Sequence, residues 1–350
     1  MKTYRVLICG AGSVGERHLR NFLSLGRGDV ALLRRHAGPL RTVMVKVPEF
    51  TGWDRALAEF KPEVVIVANP TALHLETALR AARAGCHVMV EKPVSHTTAG
   101  LRDLAQTLAE QQRFGMVGYM MRFHPLMRKI KSWLEEGEAG VLGRPLHAHI
   151  FWAEHVPDWH PWEDYAASYA VRQDLGGGAA LTYSHDLDLC MWLFGQPVKV
   201  AGWPNHAAPL AGDAEQGFDL LLCYGSGFTA QVHADYFTRP PVRRWELTAT
   251  RGRVVFDYFA GTLTRYDGVV GERPPPAGPR ALVSETLRVP VGFDRNDMFV
   301  DELRYFFECL DQDVAPRPDI RDGARVVQLS LAAREARVQD WPADAFAPMN

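Results

Sequence analysis

The sequence predicts an α/β protein with a doubly wound parallel sheet, followed by a second α/β part with a mostly antiparallel open sheet. Three observations predict this fold class. A glycine-rich turn joins the first apolar run to a helix, short apolar runs alternate with helices through residue 121, and later strands follow one another with few helices between them. A length of 350 residues suits two domains, which we place at residues 1–121 and 122–350.

The first strand, turn and helix carry glycines at the spacing of a dinucleotide-binding turn. An apolar run over residues 6–9 leads into Gly10, Gly12 and Gly15, and a helical pattern follows. Gly10 permits a tight turn, Gly12 lets the backbone approach a pyrophosphate, and Gly15 lets the helix pack closely on the strand. The free N–H groups at the helix start would face the phosphates, although a glycine turn without a ligand is the alternative. The predicted coenzyme-binding residues of this turn are Gly10, Gly12, Ser13, Val14 and Gly15.

The alternation of strands and helices continues to residue 121. Predicted strands lie at residues 30–33, 64–67, 87–90 and 116–119, and predicted helices at residues 53–60, 71–84 and 101–110. Thr71 is expected to cap the second of these helices, and Gly85 to close it. Such alternation is typical of a parallel, doubly wound sheet.

From residue 122 the pattern favours antiparallel strands. Predicted strands lie at residues 146–152, 198–202, 218–224, 228–236 and 245–250, and predicted helices at residues 126–136, 297–310 and 321–336. The proline-rich residues 272–279 are a predicted surface loop. The two closing helices are free to return to the first domain.

Composition excludes several functional classes. A net charge of −2 leaves no electrostatic footprint for nucleic acid or an anionic membrane. No apolar stretch approaches the roughly 20 residues that a transmembrane helix needs. Five scattered cysteines without a CxxC pair are typical of buried thiols in a reducing compartment. We therefore expect a cytoplasmic protein that binds neither nucleic acid nor membrane.

Two arginines follow the second predicted strand, where a dinucleotide site meets the adenine ribose. An acidic residue there hydrogen-bonds the 2′-hydroxyl of NAD, whereas arginine suits the 2′-phosphate of NADP. The sequence has Arg34 and Arg35, and no carboxylate follows the strand before Glu49. The arginines predict NADP(H) in preference to NAD(H). A solvated strand end is the alternative.

The turn after the strand at residues 64–67 reaches the same edge of the sheet, where ligands bind in such folds. Asn69 and Thr71 can line the coenzyme groove there, or they can serve only as turn and cap residues. The residues predicted to line the groove from this turn are Asn69, Pro70, Thr71 and His74.

Glu91, Lys92 and Pro93 end the next strand, and with them the chain resembles a known family. The matching segments are residues 10–15, 68–71, 84–93 and 176–195 and the closing helices. Over most of its length the chain resembles the glucose–fructose oxidoreductase / inositol dehydrogenase family. The resemblance implies a Rossmann domain, a C-terminal α/β domain whose open sheet often mediates oligomers, and hydride transfer between a nicotinamide and a sugar-like or polyol substrate.

The resemblance also assigns roles at this strand end. It implies that Lys92 reaches the substrate hydroxyl and the nicotinamide ribose, and that the Lys92–Pro93 bond is often cis. Glu91 joins the coenzyme-binding residues, chiefly as support for the local structure. From the residues alone, an ammonium at a strand's carboxyl end stabilises the alkoxide that develops as hydride leaves or arrives. An ordinary surface lysine is the alternative.

A glycine-led segment carries His185 at the start of an apolar helix. In the family a histidine here shuttles the proton, and the ordinary histidine pKa near 6.5 suits that task. Many members have an aspartate four residues earlier, where this chain has Leu181. It resembles instead a subgroup with threonine or aspartate three residues before the histidine, the position of Thr182. Asp188 can orient the imidazole or only complement the helix dipole.

The loop over residues 154–172 is rich in aromatic, acidic and histidine residues. Aromatic faces stack on sugar C–H surfaces, and carboxylates and arginine bind hydroxyls, so the loop predicts a carbohydrate site. Arg122 lies where the second domain begins and faces the cleft or serves as a hinge. The predicted substrate contacts are Arg122, Asp164, Tyr165, Tyr169, Arg172, Thr182 and His185. His155 and His160 lack the partners of a metal site, so no metal is expected.

The sequence therefore predicts an oxidoreductase that prefers NADP(H) and transfers a hydride to or from a carbon of a sugar, sugar derivative or polyol. Lys92 and His185 are the predicted catalytic residues, and a homodimer or homotetramer through the C-terminal sheet is the expected assembly. Two alternatives stay open: a redox-neutral, sugar-cleaving enzyme with tightly bound nucleotide, and a non-catalytic nucleotide sensor.

Overall fold

Two β-sheets organise the protein, as the sequence predicts. The structure, a computed structural model, describes residues 2–36, 38, 40–159, 164–271, 283–336 and 338–347. The strands of the two sheets fall within residues 4–118 and 145–340. They lie on either side of the domain boundary proposed at residues 121 and 122, which stays a prediction.

The first sheet is parallel throughout its described strands. These are β1 (Tyr4–Cys9), β2 (Gly28–Leu33), β3 (Glu49–Phe50), β4 (Val64–Val67), β5 (His87–Glu91) and β6 (Gly115–Gly118). Their spatial order is β3-β2-β1-β4-β5-β6. The four residues of β4 are all apolar and buried, as expected of a central parallel strand covered on both faces. The order reverses between β1 and β4, and this switch point creates the crevice in which ligands bind in doubly wound sheets.

The helices of this part follow the predicted alternation. They are α1 (Ser13–Leu25), α2 (Trp53–Arg55), α3 (His74–Arg83) and α4 (Leu101–Glu110). A π-helical turn extends α2 over Ala56–Phe60, and a 3-10 turn, Thr71–Leu73, precedes α3. The prediction that Thr71 caps this helix is wrong. The 3-10 turn separates Thr71 from α3, the N-cap is Leu73, and the Thr71 side chain is buried.

The second sheet is mostly antiparallel. Its described strands are β7 (Pro145–Ala153), β8 (Lys199–Asn205), β9 (Gly217–Cys223), β10 (Thr229–Asp235), β11 (Val242–Ala249), β12 (Gly252–Asp257), β13 (Thr262–Asp267), β14 (Val283–Arg288) and β15 (Val338–Asp340). They are ordered β14-β13-β12-β11-β7-β10-β9-β8-β15, and only the β7–β10 pair among them is parallel. The loop predicted at residues 272–279 lies outside the described residues.

The remaining described helices follow β6 in the chain. They are α5 (Pro125–Glu135), α6 (Ala179–Thr182), α7 (Ser184–Phe194), α8 (Arg295–Gln312) and α9 (Ile320–Ala332). Helix α8 returns to the first sheet, where Phe306 and Phe307 pack in one apolar cluster with Val6 and Ile8. The second closing helix, predicted at residues 321–336, is α9 and ends at Ala332, four residues before the predicted end. None of the helices in the described ranges is both long and apolar enough to cross a bilayer.

Candidate functional site

The glycine turn brings β1, α1 and the end of β4 into close contact. Gly10 has a φ of +105°, and a Cβ there would lie 2.5 Å from the carbonyl oxygen of Ala68. A Cβ on Gly15 would lie 2.2 Å from the carbonyl oxygen of Gly10. Helix α1 can therefore pack this close to the turn only because residue 15 has no side chain. Gly12 is different, because a Cβ there would meet no described atom within 4 Å. Gly12 therefore borders open space.

This open space at the start of α1 fits the pyrophosphate of a dinucleotide. Gly12 is the N-cap of α1, and no side chain of the described residues caps the helix. The N–H groups of Ser13 and Val14 therefore have no intrahelical partner and lie at the positive end of the helix dipole. A glycine cradle beside an uncapped helix start is the arrangement that binds phosphate in this fold class.

His74 joins the turn after β4 to the segment after β5. The ring is buried, with Nδ1 2.7 Å from the carbonyl oxygen of Pro93 and Nε2 2.8 Å from that of Asn69. The Asn69 amide donates to Thr77 Oγ1 at 2.8 Å. Burial lowers the pKa of His74. These contacts make His74 a link between two loops, and its predicted contact with the coenzyme stays a prediction.

The end of β2 carries an ion pair that the sequence did not reveal. Arg34 Nε donates to Glu49 Oε2 at 3.0 Å and its Nη2 to Oε1 at 2.8 Å. The parallel pairing of β2 with β3 places Leu32 opposite Glu49 and so brings the carboxylate to this strand end. Arg35 is exposed. The predicted ribose site therefore presents an arginine that already has a carboxylate partner, and a second one that faces solvent.

Glu91 ends β5 as a buried carboxylate. Its Oε1 lies 2.6 Å from Nε2 of His18 on α1, and its Oε2 accepts the backbone N–H of Lys92 at 3.3 Å. Burial favours the neutral acid, but the hydrogen bond and charge of His18 outweigh it and lower the pKa of Glu91. The Lys92–Pro93 peptide bond is cis. The contacts of Glu91 fix the strand end from which Lys92 projects.

The Lys92 side chain reaches from the first sheet to α6. Its Nζ donates to the carbonyl oxygen of Thr182 at 2.8 Å. Burial lowers the pKa of Lys92 to about 8, and the carboxylates of Glu91 and Glu154 oppose that shift. The ammonium is therefore mostly protonated at neutral pH and begins to titrate just above it.

His185 lies in the first turn of α7, directly after α6. The imidazole is buried between the ring edge of Tyr119, at 5.8 Å between centroids, and the nearly parallel ring of Trp152, at 6.0 Å. Burial lowers the pKa of His185 well below 6.5, and the nearby Lys92 ammonium lowers it further. A neutral imidazole at pH 7 can accept a proton. In the described part of the chain, His185 Nδ1 is buried without a hydrogen-bond partner, as a polar group that faces a ligand would be.

Comparison with known proteins agrees with this geometry. Residues 4–119 match an oxidoreductase family with an NAD-binding Rossmann fold, and residues 127–255 match the GFO/IDH/MocA C-terminal domain. The chain belongs to the GFO/IDH/MocA family. The predicted family, fold class and NAD-binding oxidoreductase character are thereby confirmed.

Several curated relatives are named as dehydrogenases or reductases of sugars and polyols. Levoglucosan dehydrogenase of Pseudarthrobacter phenanthrenivorans is 22% identical over 392 residues, which cover 97% of each chain. Inositol 2-dehydrogenase of Acidothermus cellulolyticus is 30% identical over 219 residues, and this match spans only 59% of each chain. A solved structure of levoglucosan dehydrogenase in complex with NADH and L-sorbose has the same fold, with a TM-score of 0.81 at 19% identity, over 98% of this chain and 100% of that one.

Arg122 and Asp188 form a buried, bidentate ion pair. Arg122 Nε donates to Asp188 Oδ2 at 2.8 Å, and Nη2 donates to Oδ1 at 2.7 Å. Both carboxylate oxygens of Asp188 thus bind Arg122, which supplies the cation that a buried carboxylate needs. The suggestion that Asp188 orients His185 is therefore corrected. The pair ties the 3-10 turn Met120–Phe123 to α7. Substrate contact by Arg122 stays a prediction.

The loop predicted to contact the substrate is attached to the glycines that lead into α6. The N–H of Gly177 donates to the carbonyl of Arg172 at 2.9 Å, and the N–H of Gly178 to that of Ala170 at 2.8 Å. A Cβ on Gly176 would lie 3.1 Å from that of Thr71, so the same segment closes on the coenzyme-side turn. Loop, α6 and His185 are thus parts of one connected surface.

The side chains of this loop have distinct surroundings. Asp164 accepts the N–H of Ala166 at 3.0 Å, and the hydroxyl of Tyr165 accepts that of Ala211 at 3.2 Å. Arg172 is exposed and forms an ion pair with Asp174. Tyr169 is 39% exposed. Residues 160–163, including His160, lie outside the described residues, and the substrate contacts of this loop stay predictions.

Trp152, Glu154 and Arg243 also lie near this site, and none of them is among the individually predicted site residues. Trp152 Nε1 donates to Glu154 Oε1 at 2.5 Å, and the Arg243 guanidinium lies 3.6 Å from the centroid of the Trp152 ring. Arg243 Nη2 donates to the buried Asp186 at 3.1 Å. The sequence held one indication of Arg243. It lies two residues before Trp245 and four before Leu247 on β11, so the three side chains point to the same buried face of the strand. A charged residue at a buried position of an alternating strand indicates a special environment.

Glu302 on α8 is buried close to this site. In the described part of the chain neither of its carboxylate oxygens has a hydrogen-bond partner. Burial raises the pKa of Glu302 well above its usual value, and the charges of Glu91 and Asp188 raise it further. We therefore expect Glu302 to be a neutral acid in the folded protein.

We expect Glu302→Gln to stabilise the protein above neutral pH. With a raised pKa the folded state holds a proton that the unfolded chain has released above about pH 4.5. The stability of the wild type therefore falls as pH rises, by about 1.4 kcal/mol per pH unit within that window. Glutamine has the same shape and does not titrate. The melting temperature should then depend less on pH in Glu302→Gln, whereas Glu308→Gln, on the exposed side of α8, should keep the wild-type slope. An unchanged slope in Glu302→Gln would mean that Glu302 is ionised.

Proposed function

We propose that this protein transfers a hydride between a nicotinamide coenzyme and a hydroxyl or carbonyl carbon of a sugar, sugar derivative or polyol. One observation carries the proposal. The ammonium of Lys92, at the carboxyl end of a strand in the Rossmann sheet, donates to the Thr182 carbonyl of α6 and lies close enough to the buried, neutral imidazole of His185 to lower its pKa. A cationic donor and a neutral base at one site, on the side of the sheet that binds the dinucleotide, suit alcohol oxidation.

The relatives support the class of substrate. Those named above act on an anhydrosugar and an inositol, and further relatives are a D-glucoside 3-dehydrogenase of Escherichia coli and a UDP-N-acetylglucosamine 3-dehydrogenase of Acidithiobacillus ferrooxidans. The substrates in these names all carry several neighbouring hydroxyl groups. The loop with Asp164, Tyr165, Tyr169 and Arg172 offers the aromatic and hydrogen-bonding groups that such substrates need.

Different residues of the chain would bind the coenzyme and take part in the reaction. The glycine turn and the first N–H groups of α1 would hold the pyrophosphate, and the turn at Asn69 would line the groove. When bound, the nicotinamide supplies or accepts the hydride. His185 takes the hydroxyl proton during oxidation, because its lowered pKa keeps it neutral at pH 7. Lys92 donates a hydrogen bond to the substrate oxygen and stabilises the negative charge that develops there.

A substrate panel tests this function. Inositols, hexoses, anhydrosugars and nucleotide sugars are offered with NAD and NADP, and nicotinamide absorbance follows the reaction. Reduction of coenzyme in proportion to product supports the proposal. Product without net change in absorbance, from protein that retains stoichiometric nucleotide, would mean redox-neutral cleavage instead. Coenzyme binding without product across the panel would favour a nucleotide sensor.

NADP(H) is the coenzyme we propose, with Arg35 as the principal phosphate contact. Arg35 is exposed, whereas Arg34 is held by Glu49. Arg35→Ala should weaken NADPH binding about tenfold and leave NADH binding nearly unchanged, since a hydrogen bond to a charged group contributes about 1.5–3 kcal/mol. Glu49→Gln should release Arg34 and strengthen NADPH binding. Dissociation constants of both coenzymes for each variant provide the measurement.

The same measurement separates the two coenzymes. A wild-type preference for NADH, lost in Glu49→Gln, would assign Glu49 to the ribose hydroxyls and overturn the preference for NADP(H). Glu59→Gln is a matched control, because Glu59 is an exposed carboxylate paired with an arginine four residues earlier. Assembly as a homodimer or homotetramer through the second sheet stays a prediction.

A further inference from the structure

Glu16 is a buried carboxylate on α1 that has no role in the proposed reaction. It lies in the first turn of the helix, directly after Gly15 of the glycine turn. An exposed acidic residue at such a position interacts favourably with the positive end of the helix dipole. Glu16, however, is only 4% exposed, and a charge that is buried to this extent needs hydrogen-bond donors around it. The partners of Glu16 therefore indicate what the residue does.

Three donors from the chain between β2 and β3 bind this carboxylate. The backbone N–H of Arg41 donates to Oε1 at 2.8 Å, and the backbone N–H and the hydroxyl of Thr42 each donate to Oε2 at 2.7 Å. Burial favours the neutral acid, but these hydrogen bonds outweigh it and lower the pKa of Glu16. Both oxygens of an ionised carboxylate on α1 thus bind two consecutive residues of one loop.

This loop, residues 34–48, is called the β2–β3 loop below, and it also packs on α1 through an apolar side chain. Val43 is buried in one cluster with Leu19 and Phe22 of α1. Val43 directly follows the residues that bind Glu16, so the polar and the apolar contacts lie side by side. Together they hold the loop along the helix whose first N–H groups form the predicted pyrophosphate site.

The beginning of the same loop lies at the predicted ribose site. The N–H of Gly10 donates to the carbonyl of Leu33 at 2.9 Å, so the end of β2 is joined directly to the glycine turn. Arg34 is fixed there by Glu49, with an Nε–Oε2 distance of 3.0 Å. Arg35 therefore lies in the chain between two anchors, one on β3 and the other on α1.

The β2–β3 loop is strongly basic. Residues 34–48 include three arginines and one lysine, and neither aspartate nor glutamate. These like charges repel one another when the loop is confined, whereas a phosphate attracts them. With the two carboxylates that bind the loop, Glu16 and Glu49, cations still outnumber anions by four to two. The loop is thus held in place and keeps an excess of positive charge.

We propose that Glu16 is a positioning residue of the coenzyme site, whose carboxylate holds the basic β2–β3 loop on α1 so that Arg35 meets the 2′-phosphate of NADP(H). The inference rests on the proposed preference for NADP(H). A loop that is fixed before the coenzyme arrives avoids the entropy cost of ordering it upon binding. Loss of the Glu16 contacts should therefore weaken the binding of the phosphorylated coenzyme and leave hydride transfer from bound coenzyme unchanged.

Glu16→Gln tests this role, because glutamine keeps the shape of the side chain but has one oxygen for two backbone N–H donors. We expect the dissociation constant of NADPH to rise about tenfold, that of NADH to change less than about threefold, and kcat at saturating coenzyme to keep its wild-type value. Thr42→Val is a milder variant that removes only the hydroxyl donor, and it should raise the NADPH constant about threefold. Asp103→Asn changes an exposed acidic residue in the first turn of α4 and should alter none of these constants.

Amide hydrogen exchange provides a readout on the protein without coenzyme. The N–H groups of Arg41 and Thr42 should be protected in the wild type and in Asp103→Asn, and should exchange at least about tenfold faster in Glu16→Gln. Bound NADPH should protect them further in the wild type. Exchange at the same rate in the wild type and Glu16→Gln would mean that the carboxylate does not hold the loop, and would overturn the proposal.

The binding measurements separate this role from the proposed function. An equal loss of affinity for both coenzymes in Glu16→Gln, or a fall in kcat at saturating coenzyme, would also overturn the role of Glu16. A preference for NADH in the wild type would reject the proposed coenzyme and this role together, whereas an NADPH preference that survives in Glu16→Gln would reject only the role. If the wild type turns over no substrate, the proposed reaction fails, and the dissociation constants still decide the role of Glu16.

Discussion

Replacing Lys92 by methionine is expected to lower kcat about a thousandfold and to leave the dissociation constant of the coenzyme within about threefold. Methionine retains most of the length of the side chain, so the buried volume between β5 and α6 stays filled. It cannot donate to the substrate oxygen or carry positive charge there. The loss therefore falls on the transition state, in which the oxygen is most negative, and barely on the bound coenzyme.

Kinetic and binding measurements on one preparation test this expectation. Nicotinamide absorbance gives kcat, and quenching of intrinsic fluorescence gives the coenzyme dissociation constant. Lys199→Met is the matched control, since Lys199 is a largely exposed lysine on β8 whose replacement should leave both constants unchanged. If Lys92→Met retains wild-type kcat, the ammonium takes no part in the reaction. If coenzyme affinity falls with kcat, Lys92 acts mainly in binding.

The first sheet was predictable because each of its central strands is a continuous apolar run. Residues 64–67 are all aliphatic, and such a run, bounded by polar turns, leaves little choice but a buried parallel strand. Helix α4 was predicted without error for a related reason, since its leucines recur at helical spacing on one face. Local sequence and tertiary environment agree at these positions.

The outer strands of the second sheet were not predicted, because neither a long apolar run nor a long alternating pattern marks them. β12 buries Gly252, Val254 and Phe256 in strict alternation, but the other positions hold arginine, valine and aspartate, and the buried set is only three residues long. β15 has three residues and depends on pairing with β8, more than 130 residues earlier in the chain. Strand pairing of this kind follows from tertiary structure and not from local pattern.

The residues of the candidate site likewise differ in how far the sequence alone could indicate them. Lys92 and His185 lie in segments with recognisable spacing, so the sequence indicated them. Trp152 and Arg243 meet because β7 and β11 pair with these two residues directly opposite each other, and this register cannot be deduced from either strand alone. The pairing of β2 with β3 hid Glu49 in the same way. The sequence therefore indicated Lys92 and His185, the proposed catalytic residues, whereas the contacts of Arg243 and Glu49 follow from the sheet register.

Replacing His185 by glutamine is expected to lower kcat for oxidation by about 10²–10⁴-fold, because glutamine fills the space of the imidazole but cannot take the hydroxyl proton. The wild type should lose this activity only well below pH 6.5, where the buried imidazole becomes protonated. The acid limb should then be absent from the residual activity of His185→Gln. His206→Gln, which replaces an exposed histidine, should match the wild type. Wild-type turnover in His185→Gln would assign the proton to another group.

Stability provides an independent test of the same imidazole. Because the pKa of His185 is depressed in the folded protein, the unfolded chain binds a proton below about pH 6.5 that the folded state does not. The wild type should therefore lose stability on acidification through that range, by up to about 1.4 kcal/mol per pH unit. Glutamine has no proton to gain, so His185→Gln should lose less stability between neutral pH and about pH 5. Parallel denaturation curves across that range would instead mean that the folded protein and the unfolded chain protonate His185 over the same pH range, and that burial does not depress its pKa.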